Sequence, residues 1–267
     1  MRNSIWSGIA LALLLGSCAH VPETKKPQYT QRHYTYSVLL YPEKPITSPK
    51  IDVGISMMHM EFPAEQAHYF NSFLYPEPTF DAYKDRILGE QREYYRGRVL
   101  ELMDTDEENL LSNNWRYSES IDIRNQGQGV IVERCFDTYS GGAHGMVTKR
   151  YHVLDLEGQR ELKIDDLFAD YQEKTELRDI VYEELRRYSK LESMQPLSEG
   201  IYFSDEPELS FNFFITDEGL GLHWDPYQIA PYVQGAIEII IPWRDIRSMM
   251  LYSGIEMLAV FNIHLFV

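Results

Sequence analysis

The chain has 267 residues, of which 44% are hydrophobic and 13% aromatic, and its formal net charge is −16. That length holds one large domain or two small ones, and the apolar content excludes global disorder. The charge argues against nucleic acid as a partner and leaves two uses for an acidic surface, a cationic partner or solubility beside a membrane.

The N-terminus reads as an export segment. Arg2 is a short basic region, and Ile5 to Leu15 is an apolar run too short for a membrane span. Leu15-Gly16-Ser17-Cys18 resembles the bacterial lipobox. That resemblance implies that residues 1–17 are a lipoprotein signal peptide. It also implies cleavage before Cys18 and acylation of its sulfur and new amino group. The expected location is extracytoplasmic, on a bacterial membrane and most simply the outer one, through the lipid on Cys18. Cys135 is then the one thiol left, so no intramolecular disulfide is expected, and its apolar surroundings suit a small buried side chain. Residues 18–32 carry Pro22, Pro27, Lys25 and Lys26 and read as a tether.

Alternation predicts strands over His33–Tyr41 and Ile51–Phe62, joined as a hairpin through the Pro42–Pro49 loop. Pro63 suits a first helical position, and Ala67, Phe70 and Leu74 follow at helical spacing. Pro76 and Pro78 break that helix. Thr79 is placed to cap a second, whose apolar face runs through Phe80, Tyr83, Ile87, Tyr94 and Leu102, with Gly89 and Gly97 predicting a bend or fraying. Asp104 and Asp106 open like a calcium loop. Asn109 stands where glycine is needed and Trp115 where a glutamate is, so this run reads as a solvated helix end.

Three antiparallel strands are expected over Asn113–Ile123, Gly129–Tyr139 and Met146–Leu154. The last two are joined by Tyr139-Ser140-Gly141-Gly142-Ala143-His144-Gly145. Leu177, Ile180, Val181, Leu185, Tyr188 and Leu191 mark an amphipathic helix, preceded by Asp170 and Glu173 in a capping-box pattern. Leu209–Thr216 and Leu220–Trp224 read as strands about an Asp217-Glu218-Gly219 turn. Ala236–Ile241 is a buried strand, and Pro242 opens a helical turn. The apolar last twenty residues suggest a final strand or hairpin. The expectation is an α+β fold of antiparallel sheets packed with a few amphipathic helices. It divides into two subdomains, 33–160 and 161–247, with a C-terminal extension, 248–267.

The sequence holds no HExxH, CxxC, P-loop, GxSxG or GxGxxG, and no cofactor or metal is expected. His144 lies in the glycine turn, and His223 stands beside Trp224 and Asp225. If these loops meet, His144, His223 and Asp225 could bind zinc or form an acid–base set. Otherwise His144 locks its turn by a bond to a backbone carbonyl. Tyr227, Tyr232 and Trp243 either line a groove or pack. The candidate binding residues are Tyr139, Gly141, Gly142, His144, Tyr227 and Tyr232.

Tyr139 to Gly145 resembles the Y-x-G-G-A-H motif of an extracytoplasmic domain family, and Ile164-Asp165-Asp166-Leu167-Phe168 resembles its "l-x-d-l-F" segment. Phe211-Asn212-Phe213-Phe214 with Asp217-Glu218-Gly219-Leu220 is similar to its strand–turn–strand. Tyr227 to Tyr232 (YQIAPY) and Ile239-Ile240-Ile241-Pro242 complete the likeness, which extends over about residues 33–247. The family is the domain of unknown function found in the RsiV anti-sigma factor and beside the catalytic domain of the peptidoglycan deacetylase PdaC. The resemblance implies an α+β ectodomain that in RsiV recognises lysozyme. The expected function is an envelope binding protein for a protein, lysozyme-like for example, or a cell-wall glycan. The alternatives are an envelope hydrolase acting on peptidoglycan through His144 and His223, and a structural lipoprotein without a ligand.

Overall fold

The computed structural model describes residues 27–44, 48–102, 115–141 and 143–265. Cys18, the signal segment and the Asp104–Asn109 run lie outside them. Among the described residues nine strands form two sheets. The larger has the order β1 (Gln28–Leu39), β2 (Lys50–Phe62), β3 (Trp115–Gln126), β4 (Gly129–Tyr139), β5 (Met146–Asp155) and β6 (Arg160–Leu162). The smaller has the order β7 (Phe213–Ile215), β8 (Gly219–Trp224) and β9 (Ile237–Pro242) and is antiparallel throughout. Among the described residues no helix is long and apolar enough to cross a membrane.

One pairing departs from the antiparallel expectation. β2 and β3 run parallel over Ile51–Ile55 and Trp115–Glu119. The helices α1 (Ala64–Leu74) and α2 (Phe80–Leu102) stand between them, and such a crossover returns the chain in its starting direction. α2 continues as one helix through Gly89 and Gly97. The strands pack one face on these helices. Ile51, Val53, Ile55, Trp115 and Tyr117 meet Tyr83, Ile87, Tyr95 and Val99. Met60, Ile121, Val130, Val132 and Leu154 meet Phe70 and Leu74. Beyond Ile55, β2 parts from β3 and α1 supplies the missing partners. Asn71 accepts from Met60 N and donates to Met60 O, both at 2.9 Å, and the Tyr75 hydroxyl accepts from Met58 N at 2.7 Å. The same face buries Glu119 completely enough to need partners, which are Arg134 Nε at 3.1 Å and the Tyr83 and Tyr117 hydroxyls at 3.1 Å.

The opposite face of β4 and β5 contributes Ile131, Tyr151 and Val153 to a second layer. That layer holds the smaller sheet, the short α3 (Ile164–Leu167) and α4 (Thr175–Ser189). Leu177, Val181 and Leu185 of α4 are fully buried, as their spacing predicts, while Tyr188 faces solvent. Asp170 and Glu173 do not cap α4, whose N-cap is Lys174. The bond of capping-box type lies earlier, from Lys163 N to Asp166 Oδ2 at 2.7 Å. Several strand limits also move. β1 starts at Gln28, inside the expected tether, and β7 keeps only three residues of Leu209–Thr216. Cys135 is half-buried, and burial raises its thiol pKa.

The end of the chain is helical, against the expected strand or hairpin. A short α5 (Trp243–Ile246) precedes α6 (Tyr252–Leu258), and the tight turn Ala259–Phe261 follows. Gly254, Leu258 and Phe261 are buried at intervals near one helical turn, so the apolar run has a helical period. This segment docks on the β3–β4 turn, where Gln128 N donates to Val260 O at 2.8 Å. A Cβ at Gly129 would stand 2.1 Å from the Phe261 ring, so the glycine is required by contact. Gly129→Ala is therefore expected to cost about 1–3 kcal/mol by overpacking. The cost should shrink in a Phe261→Ala background, where the ring is gone. Urea unfolding of the two single variants and the double variant measures that coupling. Equal costs in both backgrounds would remove the contact as the cause.

Candidate functional site

The turn between β4 and β5 uses its glycines for two different reasons. Gly141 has φ +88°, a left-handed conformation that glycine adopts cheaply. A Cβ at Gly145 would stand 2.7 Å from the Thr138 carbonyl oxygen. Gly142 lies outside the described residues. The Gly145 carbonyl accepts from the Tyr232 hydroxyl at 2.8 Å and from His144 Nδ1 at 2.9 Å. A carbonyl only accepts, so Nδ1 carries a proton. His144 thus makes the turn-locking bond that its sequence position allows.

This carbonyl aligns two rings. His144 and Tyr232 stack with centroids 3.6 Å apart and planes at 13°. Tyr227 joins them, 5.5 Å from Tyr232 and 6.4 Å from His144. Tyr227 is 51% exposed and His144 is exposed, so the three rings make a solvent-facing aromatic step. Tyr227 sits at φ +71° in a turn closed by Gln228 N donating to Asp225 O at 3.1 Å. That position follows Pro226 and normally favours glycine. Holding an L-residue there costs about 1–2 kcal/mol.

Beneath the step lies a charged network. His223 is fully buried. Its Nδ1 is 2.9 Å from Glu238 Oε1 and its Nε2 is 2.9 Å from Asp225 Oδ1. Both carboxylates accept, so the ring is held as an imidazolium. Burial by itself pulls the His223 pKa down, but the bonds and charges of Asp225 and Glu238 outweigh it and the net shift is upward. The bond from His223, against opposing desolvation, and the neighbouring Tyr151 and Lys149 bring Glu238 down to about 2. The Tyr151 hydroxyl stands 2.8 Å from Glu238 Oε1 and 2.9 Å from Glu133 Oε2, one proton between two carboxylates. Lys149 Nζ, at 2.9 Å, and Arg124, at 3.2 Å, complete the partners of Glu133. Three acids face three cations.

The network also joins the two sheets. Asn212 Oδ1 accepts from Tyr151 N and its Nδ2 donates to Lys149 O, both at 2.8 Å, so its amide continues the edge of β5. Its carbonyl accepts from His223 N at 2.9 Å, and Lys149 N donates to Asp225 Oδ1 at 2.8 Å.

Of the residues singled out in the sequence, His223 and Asp225 come together, while His144 comes together with Tyr227 and Tyr232. Tyr139 ends β4 opposite Arg116, and its carbonyl lies 3.2 Å from the Tyr95 hydroxyl. Trp243 is buried and donates its indole N–H to Thr216 O at 3.0 Å, so it packs and lines no groove. Both ring nitrogens of His223 are engaged by carboxylates, and the ring has no exposed surface. Among the described residues no group of three His, Cys, Asp or Glu is placed to hold a metal ion. Sequence reasoning missed Glu238, Tyr151, Glu133, Lys149 and Asn212. The signal was available for Glu238, a lone acid inside an otherwise apolar strand.

The two shifts set opposite pH limits. A histidine with a raised folded pKa contributes fully below about pH 6.5 and loses its contribution as pH rises through the folded value. A glutamate lowered to about 2 contributes fully above about pH 4.5 and loses its share as pH falls toward that value. Stability from this pair is therefore expected to peak between about pH 4.5 and 6.5. Urea midpoints recorded from acid to mildly alkaline pH test the window. His223→Gln should abolish the alkaline decline, and a decline of the same size in that variant would exclude His223 as its source.

Residues 165–244, from α3 into α5, match the model of a family described as "Protein of unknown function (DUF3298)". That stretch contains Asn212, His223, Asp225, Tyr227, Tyr232 and Glu238, whereas His144 and β5 lie outside it. The fold is similar to that of a DUF3298 family member from Bacteroides fragilis, with TM-score 0.69 and 20% identity over 87% of this chain and 96% of that one. It is also similar to a DUF3298 family protein from Pseudomonas aeruginosa, with TM-score 0.53 and 15% identity over 85% of this chain and 96% of that one. No curated protein matches the chain. The chain carries a DUF3298 domain, a domain of unknown function, within a mixed α and β fold like that of those two structures.

Proposed function

We propose that the protein is a lipid-anchored binding protein of the bacterial cell envelope. In this reading acyl chains on Cys18 hold it to the membrane, and His144, Tyr227 and Tyr232 meet a protein or a cell-wall glycan. The observation that supports it is Tyr227, an exposed ring on left-handed backbone. Strain of this kind persists where the surroundings over-determine it, and such sites cluster at ligand clamps. Tyrosines are also enriched among the residues that anchor recognition surfaces. The motif likeness to RsiV and PdaC points to the same compartment. The net charge of −16 complements a cationic partner such as lysozyme.

The test is retention of the mature chain on purified peptidoglycan sacculi and on immobilised lysozyme, each at low and moderate salt. Contact of rings with sugar predicts retention on sacculi that salt leaves nearly unchanged. A cationic protein partner predicts retention that falls as salt rises. Tyr227→Gly removes the ring and relieves its backbone. It should leave the fold equally stable or up to about 1 kcal/mol more stable, and weaken retention about tenfold. No retention on either matrix at either salt defeats the binding reading. The anchor is tested separately: Cys18→Ala should abolish labelling by radioactive palmitate, and unchanged labelling would overturn it.

A further inference from the structure

The aromatic step leaves one long feature of the molecule unused. β1 is an edge strand of twelve residues that pairs with β2 alone among the described residues. The other edge of that sheet, β6, has only three residues. Proteins blunt long edges with charges, prolines or bulges, because unpaired N–H and C=O groups recruit further strands. β1 contains no proline and no lysine, and its one irregularity is at its very start, between Gln28 and Tyr29. It also lacks acidic residues. In this acidic protein it is the one described helix or strand longer than six residues that carries neither Asp nor Glu.

A hollow flanks β1 on each face of the sheet. One, of about 390 Å³, is lined by Thr30, Arg32 and Tyr34 of β1, with Met57 and Phe80 across from them. The other, of about 560 Å³, is lined by His33, Thr35 and Ser37, with Gly54 and Ser118 beyond. Thr30, Arg32 and Tyr34 on one face and His33, Thr35 and Ser37 on the other follow the strand alternation, with Tyr36 also lining the second hollow, and the side chains of a strand laid beside β1 would alternate likewise. In the first hollow the acids are already engaged, Glu61 by Thr30 and Glu77 by Arg86. The Arg32 side chain is exposed and makes no ion pair or hydrogen bond among the described residues.

We infer that β1 is a docking edge for an extended segment of a partner protein, which adds as a further strand and sets an acidic side chain against Arg32. Backbone bonds supply the affinity, and the two hollows and Arg32 supply selectivity. The probe is a fluorescent octapeptide of alternating threonine and valine with one central glutamate, titrated against the full mature chain and read by anisotropy. Saturable binding is expected. The same peptide with lysine for glutamate should bind about fivefold more weakly. Arg32→Glu, an exposed substitution whose folding is checked by circular dichroism, should reverse that preference. Tyr227→Gly should leave it unaltered. Absence of saturable binding overturns the inference, as does equal affinity for both peptides. Sedimentation run in parallel covers the other occupant: a dimer of the chain that dissociates as the peptide binds assigns the edge to a second copy and overturns it too.

Discussion

The arrangement of the molecule depends on one buried charge. His223 has no exposed surface, yet it is held as a cation between Asp225 and Glu238. An isolated charge there would be untenable, since removing one partner of a buried pair costs about 3–5 kcal/mol. A well-packed apolar triad would often be as stable or more so. Stability alone therefore gives no reason for the charge. Its geometric consequences do. The two carboxylates come from different places, Glu238 from the neighbouring strand β9 and Asp225 from the loop after β8. The ring can be satisfied only when both are in place. The same Asp225 oxygen accepts Lys149 N from the larger sheet, so satisfying the ring also fixes how the sheets meet.

That constraint reaches the surface in a few steps. Asp225 opens the turn that carries Tyr227. Its side chain is held by His223, its N–H by the Gln228 side chain at 2.7 Å, and its carbonyl by Gln228 N. The turn cannot relax without loss of at least one of these bonds. On the other side, Lys149 and Tyr151 belong to β5, the strand that the glycine turn feeds, and Asn212 secures both. The two halves of the aromatic step, Tyr227 and Tyr232 from one layer and His144 from the other, are brought into register by the network beneath them. The Gly145 carbonyl, shared by His144 and Tyr232, makes the last connection.

Much of this was legible in the sequence where a local rule governed it. Alternation marked the strands, spacing marked α4, and the concentration of glycines marked the turn. Period failed at the C-terminus, where a nearly continuous apolar run hid the helical spacing of Gly254, Leu258 and Phe261. Strand direction failed for β2 and β3, because their pairing depends on the path of two helices and not on either strand. His144 and His223 were both visible as candidates, but residue type cannot say which carboxylates lie near a ring. Glu238 and Glu133 reach the network through strand register, and Asn212 through a side chain that imitates a strand. Such long-range placements have no signature within any short window.

The strain at Tyr227 can be weighed against what holds it. Left-handed backbone costs about 1–2 kcal/mol for such a residue. Hydrogen bonds to charged groups contribute about 1.5–3 kcal/mol each, and Asp225 accepts two, from His223 and from Lys149 N. The anchoring bonds therefore outweigh the strain even at the low end of their range. Glycine at position 227 would hold the same turn without the cost, so the turn does not need a tyrosine. The step does: without that ring, His144 and Tyr232 would remain as a stacked pair, with no third ring beside them. The buried network supports a conformation that local preference opposes, and the product of that opposition is an exposed aromatic surface.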